Sequence, residues 1–133
     1  MMRLFQKQQQ SKPYSPIVPS GLIAHTEKGY FYIKGTKKFK FVSERAMKSW
    51  CLPIIETKES VVSGFKLFGS LGFRDGTLVK DISNGKIYLI SDSKSRHITN
   101  PDVLEWLSIE PIKVSNKEIL SHEEGEELNG YIA

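Results

Sequence analysis

The chain has 133 residues, 39% of them hydrophobic, a formal charge of +4 and one cysteine. That length builds one modest core, or two small ones sharing a seam, but not two independently stable domains. No run approaches the ~18 apolar residues of a membrane span, a single Cys51 closes no internal disulfide, and Met1-Met2-Arg3-Leu4-Phe5 lacks the apolar stretch of a secretory signal, so the expectation is a protein made in a reducing cytoplasm.

Residues 1–20 hold three consecutive glutamines and prolines at positions 13, 16 and 19. Proline at every third position prevents a helix and favours an extended path. This is read as an arm docking on a neighbouring subunit, with Leu4, Phe5, Tyr14, Ile17 and Val18 as its anchors.

Leu22-Ile23-Ala24 and Tyr30-Phe31-Tyr32-Ile33 then have the β-branched and aromatic content of strands. Lys34-Gly35-Thr36-Lys37 supplies a hairpin turn with a glycine available for positive φ. Lys38-Phe39-Lys40-Phe41 alternates, which predicts the phenylalanines facing the core and the lysines facing out. Ser43 is a good N-cap for a short helix from Glu44 to Trp50. Cys51, between Trp50 and Leu52, reads as a small buried hydrophobe.

The apolar, glycine-rich stretch from Val61 to Phe73 reads as a seam between two modules. Beyond it come strands at Thr77-Leu78-Val79-Lys80, Lys86 to Ile90 and Lys94 to Ile98. Asn100-Pro101-Asp102 combines an N-cap, a first-turn proline and a first-turn acid, the clearest helix start in the chain. After Ile119-Leu120 the acidic tail is expected to fray.

The chain repeats itself. Leu22-Ile23, Gly29 and Phe31-Tyr32-Ile33 return as Leu78-Val79, Gly85 and Ile87-Tyr88-Leu89 at a spacing of 56; Phe41-Val42-Ser43 returns as Ile98-Thr99-Asn100 at 57, and Pro53-Ile54 as Pro111-Ile112 at 58. A register that slips at polar turns is the mark of tandem copies of one supersecondary unit. The predicted fold is therefore mainly β (α+β): an arm over 1–20, then two tandem antiparallel β-β-β-α modules over 21–63 and 72–120. A connecting seam fills 64–71 and an acidic tail 121–133.

The inventory of reactive groups is thin. His25, His97 and His122 are scattered without metal-ligand spacing, and the glycines from Gly64 to Gly72 lack the Lys-Ser/Thr ending of a phosphate loop. No catalytic residue, cofactor or metal is expected, and the protein is read as a non-enzyme. Lys34, Lys37, Lys38 and Lys40 form a basic patch beside Tyr30, Phe31 and Tyr32. Residues 1–66 carry twelve Lys/Arg against four Asp/Glu, and residues 67–133 seven against eleven. Halves of opposite sign could pair between copies.

The string Asp75-Gly76-Thr77-Leu78-Val79, Lys86 to Ile90, Arg96-His97-Ile98, Asn100-Pro101 and Val114-Ser115 through Glu118-Ile119 resembles a short β-hairpin repeat. Similar repeats occur in bacterial cell-surface proteins and in small virion proteins of tailed, cyanophage-like bacteriophages. The resemblance implies a non-enzymatic structural protein of a phage capsid, neck or tail, contacting other virion proteins and located in the virion. The alternatives are a module for cell-surface polysaccharide and, less favoured, a nucleic-acid binder; exposure of Tyr30, Tyr32, Tyr88 and Trp106 would favour the sugar platform.

Overall fold

The computed structural model describes residues 18–130. Among them the chain is mainly β, an α+β arrangement of two five-stranded mixed sheets and four short helices. The first sheet contains β1 (Ile23–Thr26), β2 (Gly29–Lys34), β3 (Lys37–Phe41), β4 (Ile54–Glu56) and β5 (Lys66–Leu71), ordered β4-β1-β2-β3-β5. The second contains β6 (Leu78–Asp81), β7 (Ile87–Ser91), β8 (Lys94–His97), β9 (Ile112–Val114) and β10 (Glu123–Glu124), ordered β10-β8-β7-β6-β9. The helices are α1 (Glu44–Lys48), α2 (Glu59–Val62), α3 (Pro101–Leu107) and α4 (Asn116–Ile119).

Three antiparallel strands open each sheet, but neither stops at β-β-β-α. After one helix, β4 lies parallel to β1, and β9 parallel to β6. After a second helix, β5 is laid beside β3, and β10 beside β8 in parallel. Two expectations change here. The stretch 64–71 is not only a seam, because Lys66–Leu71 is a strand of the first sheet. The acidic tail is anchored: Glu123–Glu124 pairs with Lys94-Ser95, and Leu128 is buried beside Ile98.

Register corrects the spacing. Ile23 faces Tyr32 as Leu78 faces Leu89, so β1 and β6 are related by 55, from Ile23 to Leu78. Ile33 faces Lys38 as Ile90 faces Ser95, so everything after the first turn is related by 57, from Ile33 to Ile90. The first turn holds Glu27-Lys28 in one sheet and Ile82 to Lys86 in the other, two residues of which account for the change once Gly29 and Lys86 are matched. A uniform 56 splits that difference, and a one-residue slip exchanges the faces of a strand.

Two compact units emerge. One comprises the described residues through Lys40 together with Leu52–Gly69; the other comprises Phe41–Cys51 together with residues from Ser70 onward. In the first, Ala24, Phe31 and Ile33 turn one sheet face onto Val62 of α2 and onto Val18. Val18, expected to anchor on a neighbour, is 4% exposed and belongs to this core. In the second, both sheet faces are covered. Val79, Ile90 and Val114 meet Ala46 of α1, Phe73 and Ile119 of α4; Leu78 and Ile98, on the other face, meet Val103 of α3 and Leu128. Burying a Val, Leu or Ile side chain is worth about 1.5–3 kcal/mol, so these two layers hold the unit together.

Both expected helix starts are present. The Ser43 hydroxyl accepts from the Ala46 amide at 3.1 Å, and the Asn100 side chain accepts from Asp102 at 2.9 Å. The first helix is shorter than expected, ending at Lys48. Cys51 is exposed, not buried; it follows α1 at φ 52°, a left-handed conformation uncommon for a non-glycine residue.

Candidate binding surface

Alternation along the strands decides what each face of the first sheet presents. On the face away from Val62, β1 places Ile23 and His25, β2 places Tyr30, Tyr32 and Lys34, and β3 places Lys37, Phe39 and Phe41; the cross-strand pairs are Ile23 with Tyr32, Tyr32 with Phe39, and Lys34 with Lys37. Phe68 of β5 joins this row. The ring centroids of Tyr32 and Phe39 are 6.2 Å apart, those of Phe39 and Phe68 are 5.8 Å apart and edge-on, and the Lys37 amine sits 4.0 Å over the Phe68 ring. At the other end, His25 stacks on Tyr30 at 4.0 Å and meets Glu56 at 2.8 Å. Ile23 and Phe41 are buried, the Phe41 ring lying edge-on to Trp50 at 6.3 Å; Tyr32 and Phe39 are half-buried, and Phe68, Lys34 and Lys37 are exposed.

The expected basic patch divides between the faces. Lys34 and Lys37 are exposed on the aromatic face, and Lys40 is exposed on the other, opposite Phe31. Lys38 is buried, contrary to the outward orientation expected from Lys38-Phe39-Lys40-Phe41. Its amine donates to Glu59 at 3.1 Å and to the Val62 carbonyl at 3.0 Å, ending α2. Burial alone would push the Glu59 carboxyl up, but Lys38 and the Thr26 hydroxyl overcome it and hold it below the usual range. Aromatic side chains flank the lysines on both faces, so alternation cannot say which face is inside; Glu59, 21 residues away, supplies the partner that makes Lys38 the inward one.

Equivalent positions of the second unit hold a carboxylate without the lysine, since Ser95 stands where Lys38 stands. Asp81 stands where Thr26 stands and is fully buried; it accepts from the Ser83 amide at 2.8 Å, the Ser83 hydroxyl at 2.6 Å and the Asn116 amide at 2.8 Å. Those three bonds lower its pKa. Burial, with Asp81 and Glu124 nearby, raises that of Tyr88.

A cleft belongs wholly to the second unit. Trp50, Gly72, Phe73, Arg74, Ser93 and His122 line a cleft of about 380 Å³. His122 is fixed there: a backbone N–H can only donate and a carbonyl can only accept, so Nε2 accepts from Phe73 at 2.9 Å while Nδ1–H donates to Ser93 at 2.7 Å. Both ring nitrogens are committed to the backbone, and the imidazole acts as a brace.

Of the residues singled out from sequence, Leu4, Phe5, Tyr14 and Ile17 lie outside the described residues. Of the four rings proposed for a sugar platform, Tyr30 and Tyr32 lie half-buried on the first sheet, Tyr88 packs half-buried against the core of the second, and Trp106, 61% exposed, is on α3. Phe68 escaped notice because it lay in the presumed seam. Comparison with known proteins finds no matching family model, no matching curated protein and no matching solved structure.

Proposed function

We propose that the chain is a non-enzymatic assembly protein that works through contacts with other proteins. The observation that carries this is β5, a border strand of the first sheet whose residues are exposed from Lys66 to Ser70, with Leu67 at 56% and Phe68 at 53%. A border strand offers main-chain donors and acceptors to an incoming strand, and its exposed apolar side chains give that addition its energy. Lys66 and Gly69, the latter at φ 147°, bracket Leu67-Phe68 and limit indiscriminate pairing. The narrower setting, a tailed-phage particle in which other virion proteins are the partners, rests on the sequence resemblance. The two sheets are read as copies of one module; their common strand order and the 55-then-57 register support that reading.

The test is quantitative mass spectrometry of purified particles carrying either the native chain or Leu67→Lys/Phe68→Lys. The native chain is expected at a fixed ratio to the major virion protein, and the double variant, folded by circular dichroism, at no more than a tenth of that. A native chain absent from particles, or a variant incorporated normally, would overturn the proposal.

A further inference from the structure

We propose that the partner strand accepted by β5 is acidic, its carboxylates meeting Lys37 and Lys66 and its apolar side chains meeting Leu67. The inference rests on the strand-accepting role of β5 and adds the chemistry of the partner.

Three observations carry it. The first is where lysines of the first unit gather. The Lys66 amide donates to the Thr36 carbonyl at 2.9 Å, which sets the start of β5 beside the turn between Lys34 and Lys37. The Lys37 amine lies 4.0 Å over the Phe68 ring, so its charge stands on β5 itself. Successive side chains of a strand alternate between faces. Lys66 therefore shares a face with Phe68 and Lys37, and Leu67, 56% exposed, lies on the other.

The second is that the unit does not neutralise this charge. Its described carboxylates are Glu27, Glu56 and Glu59, and each is engaged elsewhere: Glu27 accepts from the Glu59 amide, Glu56 meets His25, and Glu59 accepts from Lys38 and Thr26. Among the described residues no carboxylate forms an ion pair with Lys34, Lys37 or Lys66.

The third is the second sheet, where the corresponding lysine has an acid beside it. Lys94 lies 57 residues on from Lys37, and β10 places Glu123 next to it in parallel register. At the matching border of the first sheet the added strand carries Lys66 instead, so a carboxylate has to come from outside the unit. A border strand also offers main-chain donors and acceptors, which a polypeptide strand pairs with and a nucleic acid leaves unused.

The experiment is fluorescence anisotropy of the full chain with labelled peptides that alternate valine with glutamate, glutamine or lysine, and with labelled dT20. Exposed ion pairs are worth about two- to threefold each, so at 50 mM salt the glutamate peptide should bind about fivefold more tightly than the glutamine peptide, and 500 mM salt should remove most of that difference. Lys37→Gln/Lys66→Gln, with an unchanged thermal melt, should bring the two peptides within about twofold. Lys40→Gln, on the other face, should leave their ratio as it is. Equal affinity for the glutamate and glutamine peptides, both weakened by Leu67→Ser/Phe68→Ser, would overturn the acidic partner and leave β5 as a strand acceptor. Failure to bind any peptide would overturn both readings. Tighter binding of dT20 than of the glutamate peptide, or a ratio indifferent to Lys37→Gln/Lys66→Gln, would each overturn the proposal.

Discussion

Replacing Glu118 with alanine is expected to destabilise the second unit by about 2–3 kcal/mol, because one carboxylate there closes two helices. Its side chain is 8% exposed. Oε1 accepts from the Arg45 guanidinium at 2.7 Å and from the Ser115 amide at 2.9 Å, completing a capping box with the Ser115 hydroxyl; Oε2 accepts from the Ser43 hydroxyl at 2.6 Å. Ser43 is itself the N-cap of α1, so the carboxylate holds the starts of α1 and α4 together. Arg45 is half exposed and can rehydrate when its partner is lost, which keeps the cost below that of a fully buried pair.

The same group sets a pH dependence. Burial pushes the Glu118 carboxyl up, but Arg45, the Ser115 amide and the two hydroxyls together bring it from 4.5 to about 2. A carboxylate depressed by folding contributes stability that is complete above its unfolded pKa and is lost as pH falls through the folded value. Between pH 4.5 and 2, native protein should therefore lose about 2 kcal/mol through this group, after allowance for screening at Arg45. Urea titrations across that range should show the loss in the native chain and its absence in Glu118→Ala; parallel profiles would remove Glu118 from the account.

Gly72→Ala is expected to cost a similar amount, about 2–4 kcal/mol, through a neighbour and not through its own backbone. A Cβ at Gly72 would fall on the His122 ring, 2.7 Å from Cε1 and nearer still to Nε2. The ring must move, leaving the Phe73 amide and the Ser93 carbonyl without their partner. Gly64→Ala is the control, since a Cβ there meets nothing within 4 Å. Thermal melts should also show that Gly72→Ala adds little to His122→Ala, because removing the ring removes the collision. Full additivity would mean that the two positions act independently.

What could be read from the sequence was local. Ser43 and Asn100-Pro101-Asp102 marked helix starts because capping is written within three residues. Phe41 and Ile98, and Ser43 and Asn100, gave the true spacing of 57 because they lie after the turn that differs. Gly29 and Gly85 misled: Gly29 opens β2, whereas Gly85 sits inside the longer turn at φ 77°. Ser115 to Glu118 spells a capping box that was legible but unused, though its reach to Arg45, 73 residues away, was not. The inward turn of Lys38 and the placement of α1 both depend on distant partners, which no local pattern encodes.

Helix α1 folds with the second unit, to whose core it contributes Ala46. Hydrogen exchange of the amides of Met47, Ser49 and Trp50, bonded to Ser43, Ala46 and Met47, tests this most directly when native protein is compared with Leu78→Ala and Val62→Ala. Leu78 is in the core of the second unit and Val62 in that of the first; each truncation removes about 2–4 kcal/mol from its own unit. The account predicts that Leu78→Ala speeds exchange at those three amides together with Ile90, whereas Val62→Ala speeds Ile33 and leaves them unchanged. Exchange at Met47, Ser49 and Trp50 that followed Val62→Ala and ignored Leu78→Ala would contradict it.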